Sequence, residues 1–112
     1  MTYFRKALSI DNNYPPLFQN YGLFLSKTKQ FEKAITQFNI ALQLFPKFAP
    51  VYSDRGSALR ELKKFDEAIA DFKQAIQLAP DVPGFYYNRA NALRGKKMFF
   101  EALSDHETMQ SG

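Results

Sequence analysis

Apolar residues recur along the chain at helical spacing, in stretches separated by short polar turns. Phe18, Tyr21, Gly22 and Leu25 share one face of a stretch over residues 15–28, and Ala34, Ile35, Phe38, Ala41 and Leu42 share one face of the next, over 31–44. The pair of stretches comes again at 49–62 and 65–78, and a third time at 83–96 and 99–109. A shorter one over 2–10 carries Phe4, Ala7 and Leu8 at i, i+3 and i+4. The spacing predicts an all-α chain of about seven helices.

The stretches are copies of one unit, most complete from Ala49 to Val82. Shifted back by 34 residues, Tyr52, Gly56, Leu59, Phe65, Ala68, Phe72, Ala75 and Pro80 fall on Phe18, Gly22, Leu25, Phe31, Ala34, Phe38, Ala41 and Pro46. Shifted forward, the first five fall on Tyr86, Ala90, Leu93, Phe99 and Ala102. A fixed period of this length predicts an α-solenoid of stacked helix pairs. The expected units are 1–14 (the second helix of an incomplete repeat, as in a trimmed piece), 15–48, 49–82 and an incomplete, degenerate 83–112. Pro15-Pro16 and Pro83-Gly84 open first helices, and Pro46 and Pro80 close second ones. Gly22 and Ala34 are small enough for two helices to meet closely, with Phe31 and Phe38 filling the space beside them. In the last unit His106 replaces Phe38 and Phe72, and Met109 replaces Ala41 and Ala75.

The spaced residues Phe18, Tyr21, Gly22, Leu25, Ala34, Phe38 and Pro46, and their copies Tyr52, Arg55, Gly56, Leu59, Ala68, Phe72 and Pro80, closely resemble the tetratricopeptide repeat. That resemblance implies antiparallel helix pairs in a right-handed superhelical arc. First helices would line a concave groove that holds a partner's peptide. Gln19, Asn20, Leu23, Ser26 and Lys27 would then face the groove, followed by Ser53, Asp54, Ser57, Arg60 and Glu61, and by Tyr87, Asn88, Asn91, Arg94 and Gly95.

The row Asn20, Asp54, Asn88 is similar to the asparagine ladder of O-linked N-acetylglucosamine transferases, where amides grip a peptide backbone. Its other reading is a set of solvent-facing polar residues. Helices about 8–10 Å apart would meet an extended peptide at about every third residue. Arg60 and Arg94, with Lys27, make acidic or phosphorylated ligands candidates; the alternative is a solvated helix end. The family's chaperone-binding subclass holds a terminal carboxylate with Lys, Asn and Arg. Those positions here read Gln19, Leu23, Asp54, Pro50 and Asn88, so the resemblance stops short of that subclass.

Repeats two and three carry Arg55 and Arg89 where repeat one has Tyr21, and Asp71 and Asp105 where it has Gln37. The joint change predicts structural ion pairs, Arg55 with Asp71 and Arg89 with Asp105, or Arg89 with Asp71. Phe100 puts an aromatic ring where Glu32 and Asp66 stand.

The net charge of +4 comes from 15 basic and 11 acidic residues without like-charge blocks, so neither nucleic acid nor a membrane is an expected partner. There is no Cys, and the one His, His106, falls on a packing position. No phosphate loop, metal spacing or nucleophile–base pair is present. The expectation is a non-catalytic, cytoplasmic protein-interaction scaffold without metal or cofactor. Its alternatives are a spacer that self-associates through exposed terminal helices, and the recruiting arm of a larger enzyme.

Overall fold

The computed structural model describes residues 15–111, with side chains described over residues 16–100. It contains five helices: α1 (Pro15–Lys27), α2 (Phe31–Leu44), α3 (Ala49–Glu61), α4 (Phe65–Leu78) and α5 (Pro83–Ser111). The helix expected over 2–10 lies outside the described residues. Each helix packs mainly on its neighbours in the chain, while α1 also touches α3 and α3 touches α5. First helices therefore form one layer and second helices another.

The layers meet where small residues admit aromatic rings. Phe38 and Phe72 are fully buried, as are Ala34, Ala41, Ala68 and Ala75 around them. The Phe38 ring lies over Gly22 and the Phe72 ring over Gly56, where even a methyl group would collide. Each such ring contributes roughly 1.5–3 kcal/mol by leaving water.

The turn between paired helices is the same in both complete repeats. Lys29 N–H donates to Ser26 O (3.0 Å) and Gln30 N–H to Leu25 O (2.8 Å); Lys63 N–H donates to Arg60 O (2.9 Å) and Lys64 N–H to Leu59 O (2.9 Å). This is a Schellman motif, which needs a left-handed residue after the helix. Lys29 (φ 63°) and Lys63 (φ 64°) take that conformation without being glycine, at a cost of roughly 1–2 kcal/mol each. Successive repeats are tied by a tyrosine: Tyr52 donates its hydroxyl to Pro46 O (2.8 Å) and Tyr86 to Pro80 O (2.9 Å).

The third unit departs from the expected plan. Instead of breaking near residue 97, α5 runs unbroken for 29 residues. Both residues of the helix-pair lock differ: Ala90, exposed here, stands where Gly22 and Gly56 stand, and His106 stands where the Phe knobs stand. Without that packing nothing offsets a left-handed Lys97, and the helix continues. The face a returning helix would cover stays open, with Leu93 49 % exposed where Leu25 is 3 % and Leu59 6 % exposed.

Candidate functional site

The exposed side of the first-helix layer carries most of the residues expected in the groove. Its polar positions are coupled between repeats. Gln19 donates its amide to Asp54 Oδ2 (2.9 Å), and Asn88 donates to Ser53 Oγ (3.1 Å). These are equivalent pairs one repeat apart, with donor and acceptor exchanged. Burial pushes the Asp54 carboxyl above its ordinary range, and the Gln19 bond partly opposes the shift. Four of the six groove residues expected at these two positions (Gln19, Ser53, Asp54 and Asn88) thus bond one helix to the next. Asn20 is exposed, Asn91 half-buried, Tyr87 68 % exposed and Arg94 exposed. Arg60 lies 3.6 Å from Glu61 of its own helix.

A cavity of about 630 Å³ opens between α1 and α3 at the end where the helix pairs turn. Its apolar wall is Leu23, Phe24, Phe31 and Ala58; Asn20 and Ser57 line it from the groove, and Lys27, Lys29 and Glu61 stand at its margin. Ser26, also in the lining, has its Oγ sealed from solvent and without a hydrogen-bond partner among the described residues. A smaller cavity of about 340 Å³ lies one repeat on, with Arg60, Lys63 and Phe65 at the places of Ser26, Lys29 and Phe31, and with Met98 and Phe99 on its far wall. Sequence reasoning missed Phe24, Lys29 and Phe31 here. The adjacent apolar pair Leu23-Phe24, on an otherwise polar face, was the available signal.

The expected ion-pair residues lie elsewhere, between the layers. Arg55 donates from Nε to Asp71 Oδ2 (2.8 Å), from Nη2 to Asp71 Oδ1 (2.7 Å) and from Nη1 to Asn39 Oδ1 (2.9 Å). The bonds to Asp71 raise the guanidinium's proton affinity, against the opposing effect of burial. Arg89 stacks over the Tyr86 ring at 5.5 Å, as Arg55 does over Tyr52 at 5.6 Å. The Asp105 side chain lies outside the described residues. On one continuous α5 its backbone is about 24 Å from that of Arg89, so the expected Arg89–Asp105 pair has no helix hairpin to bring it together. Lys96 instead pairs with Asp66 (2.6 Å), and Phe99 packs on Phe65 (5.9 Å between ring centres). Phe100 is 57 % exposed.

Among the described residues no group of three His, Cys, Asp or Glu is placed to hold a metal, and no helix is long and apolar enough to cross a membrane. Apolar cavities with cations at their margins can bind a chain segment.

Two family models match the sequence, one described as TPR repeat over residues 56–96 and one as tetratricopeptide repeat over residues 3–36. No curated protein matches it. Among solved structures, the first TPR domain of the human RPAP3 protein superposes with a TM-score of 0.80 and 25% identity, covering 82% of this chain and 72% of that one. The first TPR of Spaghetti (RPAP3), bound to HSP90 peptide SRMEEVD, gives 0.75 and 26% identity, over 88% and 75%. The TPR domain of Arabidopsis OM64 gives 0.79 and 20% identity, over 83% and 77%, a likeness of fold alone.

Proposed function

Since this chain is built of tetratricopeptide repeats, supported by family models and solved structures alike, and domains of this kind are protein-interaction modules, we propose that it binds an extended peptide segment of a partner across its first-helix layer. Its units in this reading are 15–48, 49–82 and 83–112, and it acts without catalysis, in the cytoplasm. The observation that carries the reading is the 630 Å³ cavity. Its lining joins Asn20 of α1 to Ser57 of α3 and backs them with apolar walls.

Similarity to a peptide-bound domain supports the ligand class and nothing narrower. The terminal-carboxylate positions hold Gln19, Leu23, Pro50, Asp54 and Asn88, without a cation among them, and three of these are already bonded within the chain. Of the ladder Asn20, Asp54, Asn88, only Asn20 makes no hydrogen bond described above, and the ladder stays a proposal. Lys27, Lys29, Arg60 and Arg94 favour acidic side chains along the segment.

A peptide-display selection on the purified chain, repeated with Leu23→Glu and Asn20→Ala, tests this. Enriched peptides that both variants fail to retain are the expected result. No enrichment from a chain shown to be helical, or enrichment indifferent to both substitutions, overturns it.

A further inference from the structure

We propose that the two cavities at the turn edge act together on one ligand. That ligand is an extended acidic segment carrying two apolar side chains three residues apart. The inference rests on the peptide-binding reading and narrows it to a spacing and a charge.

The cavities are equivalent positions of successive repeats, since Lys29 and Phe31 of one correspond to Lys63 and Phe65 of the other. Packed neighbouring helices stand about 8–10 Å apart, and a segment in the extended polyproline-II form advances about 3.1 Å per residue with three residues per turn, so that i and i+3 share one face. A segment crossing the edge at right angles to the first helices therefore presents side chains i and i+3 to the two sites. Both sites have aromatic or aliphatic walls: Leu23, Phe24 and Phe31 in the first, Phe65, Met98 and Phe99 in the second. Each is large enough for one branched aliphatic side chain.

The second wall exists only because α5 runs straight. Met98 and Phe99 sit beside Phe65 on the unbroken helix, and Gly95 lets the Phe65 ring approach, since a Cβ there would come within 2.7 Å of its Cε1. A hairpin at residue 97 would turn that wall away. The departure from the repeat pattern thus supplies half of the proposed site.

Charge identifies the residues between the anchors. Lys27 and Lys29 border the first cavity, Arg60 and Lys63 the second, and Glu61 touches both. Glu61 is opposed by Arg60 at 3.6 Å, which leaves a surplus of positive charge along the edge. Acidic residues at i+1 and i+2 of the ligand meet that surplus, whereas basic ones would be repelled.

The test uses fluorescence anisotropy with labelled, end-blocked peptides on the full chain. The probe has a Leu-Glu-Glu-Leu centre; the controls have one Leu replaced by Ala, a single Glu between the leucines, or Lys in place of both Glu. The probe is expected to bind at least about tenfold more tightly than every control. Met98→Glu, at a 61 % exposed position where the fold should tolerate it, is expected to bring the probe down to the single-Leu control. Equal binding of probe and controls, or binding unchanged by Met98→Glu, overturns the two-cavity site. If the display selection still enriches other peptides, the groove reading survives that result; if neither experiment finds binding, both fall.

Discussion

The ring of Phe72 lies directly over Gly56: a Cβ on residue 56 would stand 2.7 Å from the ring's Cε1, inside any contact real atoms tolerate. Phe72 is fully buried in a cluster with Leu59, Ala68, Ile69 and Ala92, so it has no room to retreat. Gly56→Ala gains roughly 1 kcal/mol of helix propensity and loses about 1–3 kcal/mol to overpacking. The expected outcome is a net fall in urea midpoint for Gly56→Ala, and a larger one for Phe72→Ala, about 3–5 kcal/mol. A stabilised Gly56→Ala would mean that the two helices are not held this close in solution.

Arg55 and Asp71 form a two-toothed bond whose carboxylate is 8 % exposed and whose guanidinium is 25 % exposed. Removing the arginine leaves Asp71 buried without its partner and strips the bond to Asn39. Partial exposure tempers the cost, so Arg55→Ala is expected to lose about 1–3 kcal/mol. Arg55→Lys should recover less than half of that, because an ammonium cannot make the fork. Arg55→Met with Asp71→Leu should cost less than Arg55→Ala alone. Equal losses for the single and double variants, measured by urea unfolding, would show that the charge pair does not set the cost.

Much of this was readable before any coordinates. Gly22 with Phe38, and Gly56 with Phe72, recur at one spacing because the same collision limits recur, and Arg55 changes together with Asp71. Two features were not readable from position alone. The bonds of Gln19 to Asp54 and Asn88 to Ser53 join different positions of adjacent repeats, and comparing like with like does not reveal them. The straight α5 depends on a balance: the cost of a left-handed Lys97 against packing that Ala90 and His106 have weakened.

Asp54 gives a pH signature. Burial holds its carboxyl above the ordinary value of 3.8, so the folded chain binds that proton more tightly than the unfolded one. The group's contribution to stability is therefore complete below the unfolded value and is lost as pH rises through the folded value. Asp54→Asn removes the charge and keeps an acceptor for Gln19. Urea midpoints for the two chains should differ little near pH 3 and diverge toward about pH 7, with the variant the more stable. A variant less stable at neutral pH would mean that the charged Gln19–Asp54 bond outweighs the burial cost.

Lys97 and its counterparts Lys29 and Lys63 share a sequence position and differ in backbone, one helical and two left-handed. If lost packing is the cause, restoring it should restore the turn. Ala90→Gly with His106→Phe recreates the hole and the knob, and Lys97→Gly removes the left-handed penalty. The chain has no cysteine, so spin labels at Arg89→Cys and Asp105→Cys can report on α5 alone. In the otherwise unaltered chain the labelled backbones should be about 24 Å apart, as along one helix. In the triple variant they should close to about 8–10 Å, the separation of packed helices. A long distance in both would mean that contacts of α5 with α4, through Phe99 on Phe65 and Lys96 on Asp66, keep the helix straight whatever Ala90 and His106 offer. A short distance in both would place the turn under the control of residues outside this pair.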